Sequence, residues 1–235
     1  MPHLYDDLPL ALYSAAQVRD LDARLIAAGT PGFELMQRAA HATWRALRRR
    51  WADVGAVTVL AGRGNNAGDG YLVAALAQRA GWRVRVLAVG DPAQLAGDAA
   101  LAYDEARAAG VAIQPWSEGA ALEGVLVDAL LGTGLAGAVR EPYAQAIRLL
   151  NASGLPVLAL DIPSGLCADT GAVLGVAVRA ELTVTFIGLK LGLLTGEAPD
   201  WVGALAFDDL QADPQILAQT PSAALRLAPG NLPRL

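Results

Sequence analysis

The stretch AVTVLAGRGNNAGDG, residues 56–70, decides the fold. Its first six residues form an almost purely apolar run, the pattern of a strand covered on both faces in a parallel sheet. Gly62-Arg63-Gly64 breaks the run, and a helix is expected over 69–80. A glycine turn between strand and helix is the joint at which doubly wound proteins receive phosphate groups on a helix N-terminus. The turn begins as G-x-G-x-x-G with Ala67 at the third glycine position, a weak signal alone. Asn65, Asn66 and Asp69 add amides and oxygens that a plain dinucleotide turn does not need. The Asn pair either shapes the turn or binds a ligand, and Asp69 is either a helix cap or a site carboxylate. Asn is scarce here: the only others are Asn151 and Asn231.

The same pattern repeats outward. Short Val-, Leu- and Ala-rich strands are expected at 84–89, 111–114, 125–130, 156–162, 182–186 and 204–207, with helices at 95–109 and 141–152. Upstream, Ser14 caps a helix over 15–28 that Gly29 ends, and apolar spacing from Phe33 to Leu47 predicts a second over 31–50. The alternation predicts an α/β, doubly wound fold with a mostly parallel sheet and two N-terminal helices.

The 235 residues suit one large domain, and 54% apolar content with 17% charge excludes disorder. A single cysteine, Cys167, excludes a disulfide scaffold and reads as a small buried hydrophobe. The net charge of −5 argues against a nucleic-acid partner. No run approaches the roughly 18 apolar residues of a membrane span. The acidic start MPHLYDDLPLALY does not read as a signal peptide. A cytoplasmic protein is expected. Of 18 basic residues, 17 are Arg and one is Lys190, which marks that position. The run Arg48-Arg49-Arg50 ends a helix, where cations suit its dipole.

Ligands of an open parallel sheet bind beyond the carboxyl ends of its strands. Four strand ends carry glycine beside polar groups: the turn at 62–70, Asp128 followed by 132–137, Asp161 with Ser164, and Gly188 to Gly192 around Lys190. Asp128 and Asp161 leave strongly apolar strands, where a carboxylate serves as acid or base or holds a cation. The cluster is all oxygen, which suits a hard cation, and His3 and His41 lie far from it in sequence.

GRGNNAGDG, VDALLGTGL, LDIPSGLCADTG and TVTFIGLKLGL, in this order, resemble the NAD(P)H-hydrate epimerase family over residues 11–210. The resemblance implies a Rossmann-like three-layer αβα sandwich, often a homodimer. It implies interconversion of the R and S forms of hydrated NADH and NADPH, a metabolite repair. It further implies a hydrate-binding stretch at Asn65, Asn66, Ala67, Gly68 and Asp69, and a second at Gly132-Thr133-Gly134-Leu135-Ala136-Gly137-Ala138. Asp161 is implied as substrate-binding, and Asn66, Asp128 and Ser164 as potassium (K+) ligands. Arg63 replaces a common lysine, and Ala67 a common glycine, which strains the turn if that residue needs positive φ.

The hydrate carries a hydroxyl on the ring carbon beside the ring nitrogen. Loss of hydroxide leaves a planar cation that water re-enters from either face; a ring-opening route through an aldehyde gives the same product. Asp161 is the candidate for both proton transfers. Two other readings stay open. An NAD(P)-dependent oxidoreductase would use Asp91 for a ribose hydroxyl, though no Tyr-x-x-x-Lys pair is evident. A non-catalytic binding module is the other. Residues 211–235, with four prolines, read as a linker onto a fused dehydratase domain or as a tail of a stand-alone epimerase.

Overall fold

The protein is described by a computed structural model over residues 8–227. Seven strands form the main sheet: β2 (Ala56–Ala61), β3 (Arg83–Ala88), β4 (Ala112–Pro115), β5 (Val125–Ala129), β6 (Val157–Leu160), β7 (Leu182–Phe186) and β9 (Ala204–Asp208). Their order is β4-β3-β2-β5-β6-β7-β9, and every pairing is parallel. The apolar central strands are buried along their whole length, whereas edge strand β4 is mostly exposed.

Alternation along each strand builds two cores. Val57, Val59, Val125 and Val127 face α1 (Ala15–Ala27), α2 (Gly32–Arg50), α3 (Asn65–Arg79) and α4 (Gly97–Ala108). Leu60 and Leu126 face α5 (Tyr143–Ala152), through Ile147 and Leu150. This is the expected three-layer arrangement. Ser14 caps α1 as expected: its hydroxyl accepts from Gln17 N at 3.2 Å, and the Gln17 side chain accepts from Ser14 N at 2.8 Å.

Two expectations are corrected. The helix after β2 starts at Asn65, four residues early, so the Asn pair lies in the first helical turn. Ala67 is therefore helical and outside the residues with positive φ, so the condition for strain there is not met.

The second correction concerns the tail. Asp213 caps a short helix α6 (Pro214–Ala218), and β10 (Ala224–Leu225) pairs antiparallel with β1 (Ala11–Tyr13). β1 also pairs in parallel with β8 (Leu189–Lys190). A third core, with Leu12, Ile162, Leu189 and Leu205, lies by this small sheet. The described part of the tail thus packs on the domain. Residues 228–235, read as linker, and His3 lie outside the described residues.

From β2 the chain moves outward to β3 and β4, then returns to β5 on the opposite side of β2. The turns after β2 and β5 thus diverge, and a crevice opens between them. Gly62, just after β2, packs tightly on the end of β5: a Cβ there would lie 1.9 Å from the Leu130 carbonyl oxygen. Gly62→Ala is expected to push the two strand ends apart and cost about 1–3 kcal/mol. Chemical denaturation measures this; an unchanged midpoint would show that the ends yield freely.

Candidate active site

The crevice is a cleft of about 590 Å³. α1 lends it Arg19 and Asp22; the turn after β2 and α3 lend Arg63, Asn65, Asn66 and Asp69; the turn after β5 lends Leu130 to Ala136. Asp161, Phe186, Ile187 and Lys190 close the far side. Gly64 caps α3 without a side-chain bond, and no acidic residue occupies the first turn. That positive helix end, facing the cleft, suits an anion such as a phosphate.

Nine of the expected substrate residues line the cleft: Asn65, Asn66, Asp69, Gly132, Thr133, Gly134, Leu135, Ala136 and Asp161. Ala67, Gly68, Gly137 and Ala138 are not among its lining. Ala67 is buried in the main core, and Gly68 packs on Met36, whose Sδ lies 2.6 Å from where a Cβ would be. Cys167 is partly exposed rather than buried. His41, on α2, is exposed and does not line the cleft.

Asp128 and Ser164 lie beneath the floor, 0% and 1% exposed. Ser164 donates to Asp128 twice, from Oγ to Oδ1 at 2.6 Å and from its backbone N to Oδ2 at 2.8 Å. Leu131 N donates to Ser164 Oγ at 2.8 Å, and Asn66 Nδ2 donates to the Leu131 carbonyl at 3.2 Å. Asn66, Asp128 and Ser164, expected as one ligand set, therefore meet around the Leu131 peptide. Burial pushes the Asp128 carboxyl up to about 6, against the pull of the Ser164 and Leu130 hydrogen bonds. Asn66 Oδ1 is buried and has no hydrogen-bond partner among the described residues. Such an orphaned oxygen calls for a ligand.

Asp161 follows β6 with φ 64°, and Ile187 follows β7 with φ 63°. Left-handed backbone is unfavourable for these residues, above all for β-branched Ile, and such strain gathers at working sites. The bend lets Asp161 Oδ1 accept from Thr185 Oγ1 at 3.2 Å, from Phe186 N at 3.2 Å and from Lys190 Nζ. Lys190 also donates to Thr185 Oγ1 at 3.0 Å and to the Phe186 carbonyl at 2.9 Å. Its side chain is 1% exposed and that of Asp161 20%. Lys190, marked in the sequence by composition and by its place at a strand end, thus holds the central carboxylate.

Asp22 was not foreseen. Its one signal is a charge at the spacing of Val18 and Ile26, all three lining the cleft. Asp91, on which the oxidoreductase reading leaned, accepts from Ala93 N at 3.0 Å as a local cap. Among the described residues no helix is long and apolar enough to cross a membrane.

Residues 32–192 match the family described as "YjeF-related protein N-terminus". The chain is 45% identical over 200 residues to the bifunctional NAD(P)H-hydrate repair enzyme of Coxiella burnetii, covering 85% of this chain and 41% of that protein. It is 45% identical over 191 residues to the Escherichia coli enzyme of the same description, covering 80% and 36%. It spans less than half the length of these two relatives. An NAD(P)H-hydrate epimerase of Limosilactobacillus fermentum is 36% identical over 200 residues, covering 83% of this chain and 95% of that one. The crystal structure of yeast ynu0, YNL200c, superposes with a TM-score of 0.70 at 20% identity, covering 84% and 87%, a likeness of fold. The chain belongs to the family of YjeF-related N-terminal domains, together with the NAD(P)H-hydrate epimerase it nearly spans.

Proposed function

We propose that the chain is an NAD(P)H-hydrate epimerase unit that interconverts the R and S forms of hydrated NADH and NADPH. One observation carries the reading: a carboxylate fixed by a buried lysine stands in the same cleft as a free helix N-terminus. The helix end suits the substrate's phosphates and the carboxylate suits proton transfer at its ring. The near-complete span of the L. fermentum epimerase supports it. In the reaction the carbon–oxygen bond of the ring hydroxyl breaks as a proton reaches that oxygen, and water adds back to the planar ring with loss of a proton. Asp161, which lines the cleft, is the residue we assign to the handling of such protons. The experiment is conversion of one pure epimer into the mixture by the whole chain; an epimer left unchanged defeats the reading.

The oxygen set fits a monovalent cation, with Asn66 Oδ1 free to ligate and Asp128 as the one carboxylate. Asn66, Asp128 and Ser164 would hold K+, whose charge would organise the turns around the cleft. A melting-temperature rise in K+ relative to a large organic cation, abolished in Asn66→Ala, is expected. Equal melting in both, or refined oxygen distances near 2.0–2.1 Å, which indicate Mg²⁺, would sink the cation assignment.

The two longer relatives named above are bifunctional by description. We therefore place a dehydratase unit elsewhere in the full protein, acting on the epimer that this unit supplies.

A further inference from the structure

The epimerase chemistry needs a proton donor as well as an acceptor, and Asp161 is poorly suited to donate. One of its oxygens accepts from an ammonium, a hydroxyl and a backbone amide, which is the setting of an ionised carboxylate. Among the described residues neither His nor Cys lines the cleft, the two arginines there keep their protons, and burial raises the hydroxyl of Tyr143, which also lines it, above its usual range. Three other carboxyls line it. Asp98 comes from α4, and its Oδ2 lies 2.4 Å from where a Cβ on Gly32 would stand, which places it toward the start of α2. Asp22 comes from α1 and Asp69 from α3. Asp69 follows Asn66 by three residues, so both lie on the face of α3 that meets the cleft. Among the described residues no hydrogen bond fixes the Asp69 carboxyl, which leaves it free for a ligand.

Resting on the epimerase reading, we propose that Asp69 is a second catalytic residue: it gives its proton to the departing hydroxyl, while Asp161, held as a carboxylate by Lys190, takes a proton from the incoming water. The carbon–oxygen bond breaks with its electrons on oxygen, and the Asp69 proton completes a water molecule. A second water then bonds to the ring carbon, and its proton passes to Asp161. Exchange with water in the cleft returns the proton to Asp69, so nothing is consumed. The charges facing Asp69 favour this division. Burial raises its carboxyl well above the usual range, and the negative charges of Asp161 and of Asp22 raise it further, while Lys190 lowers it. Asp22 is raised as well, by burial and by Asp98 and Asp161. Burial and the neighbouring carboxylates thus favour the protonated form of Asp69, which lines the cleft with no hydrogen bond on its carboxyl among the described residues.

The test follows the rate of conversion of one pure epimer of hydrated NADH against pH, alongside infrared spectra of the resting protein. The wild-type rate is expected to fall as pH rises through the titration of Asp69, because the donor must be protonated. Asp69→Asn is expected to lower turnover by about 10²–10⁴-fold, keep substrate binding, and lose the alkaline fall. Asp22→Asn removes a neighbouring negative charge, so it keeps that fall and moves it to lower pH. A protonated-carboxyl band seen in the wild type at neutral pH is expected to vanish in Asp69→Asn. A wild-type rate flat into the alkaline range overturns the proposal, and so does an alkaline fall that Asp69→Asn keeps or Asp22→Asn loses. If the whole chain converts neither epimer, the epimerase reading fails. The infrared band then still decides whether Asp69 holds a proton, and its absence overturns that too.

Discussion

Asp161→Asn is expected to do two things at once: lower epimer interconversion by about 10²–10⁴-fold and destabilise the protein by about 3 kcal/mol. The first follows from removal of the proton acceptor. The second follows from what stays behind. The amide occupies nearly the same volume, so the loss is electrostatic. Lys190, 1% exposed, keeps Thr185 Oγ1 and the Phe186 carbonyl but loses its counter-charge. An ammonium left unpaired where water cannot reach it is costly, so it either destabilises the fold or gives up its proton. The two effects separate in a double variant. Asp161→Asn with Lys190→Met replaces the ion pair by neutral groups and is expected to recover most of the stability and none of the rate. Denaturant melts and the epimer assay on both singles and the double complete the cycle. Near-normal turnover in Asp161→Asn would remove it from proton transfer. Additive stability losses in the double would mean that the two charges do not act as a pair.

The sheet was readable because its central strands are buried on both faces, and only unbroken Val, Leu and Ala runs survive there. The start of α3 was not. Gly64, Gly68 and Gly70 depress local helix propensity, and what holds that turn is contact. A Cβ on Gly70 would come within 2.4 Å of the Ala129 Cβ, so the helix lies closer to β5 than larger residues permit. The small sheet was invisible for a different reason. β1, β8 and β10 have two or three residues each, too few for a period, and the pairing of Ala11 with Leu225 joins opposite ends of the chain. The candidate site divides likewise. Asp128, Asp161 and Ser164 stand at strand ends, where the doubly wound topology forces convergence. Asp22 reaches the cleft because α1 lies across it, a tertiary fact that its own helix does not record.

Lys190→Arg is expected to lower the melting temperature and to cut turnover by at least tenfold, although the charge is kept. Arginine fills every other basic position in a chain with 18 basic residues, so exchange toward arginine was evidently tolerated elsewhere. The structure supplies the reason it fails here. The Nζ of Lys190 has three acceptors within reach, Asp161 Oδ1, Thr185 Oγ1 and the Phe186 carbonyl. An ammonium has three protons, so the site matches it donor for acceptor. A guanidinium is larger, planar and carries five N–H groups, two more than these acceptors provide, at a position only 1% exposed to solvent. Overfilling costs about 1–3 kcal/mol and each unmatched donor adds to that. At roughly 2–4 °C per kcal/mol for a domain of this size, the shift is readily measured. Turnover suffers because one of the three acceptors is the Asp161 carboxylate itself and another, Thr185 Oγ1, donates to it. A larger cation moves all three, and a proton acceptor displaced by about 1 Å loses much of its effect. If the variant melts and turns over like the wild type, lysine at this position carries no special demand, and the ammonium-shaped site is a coincidence of composition.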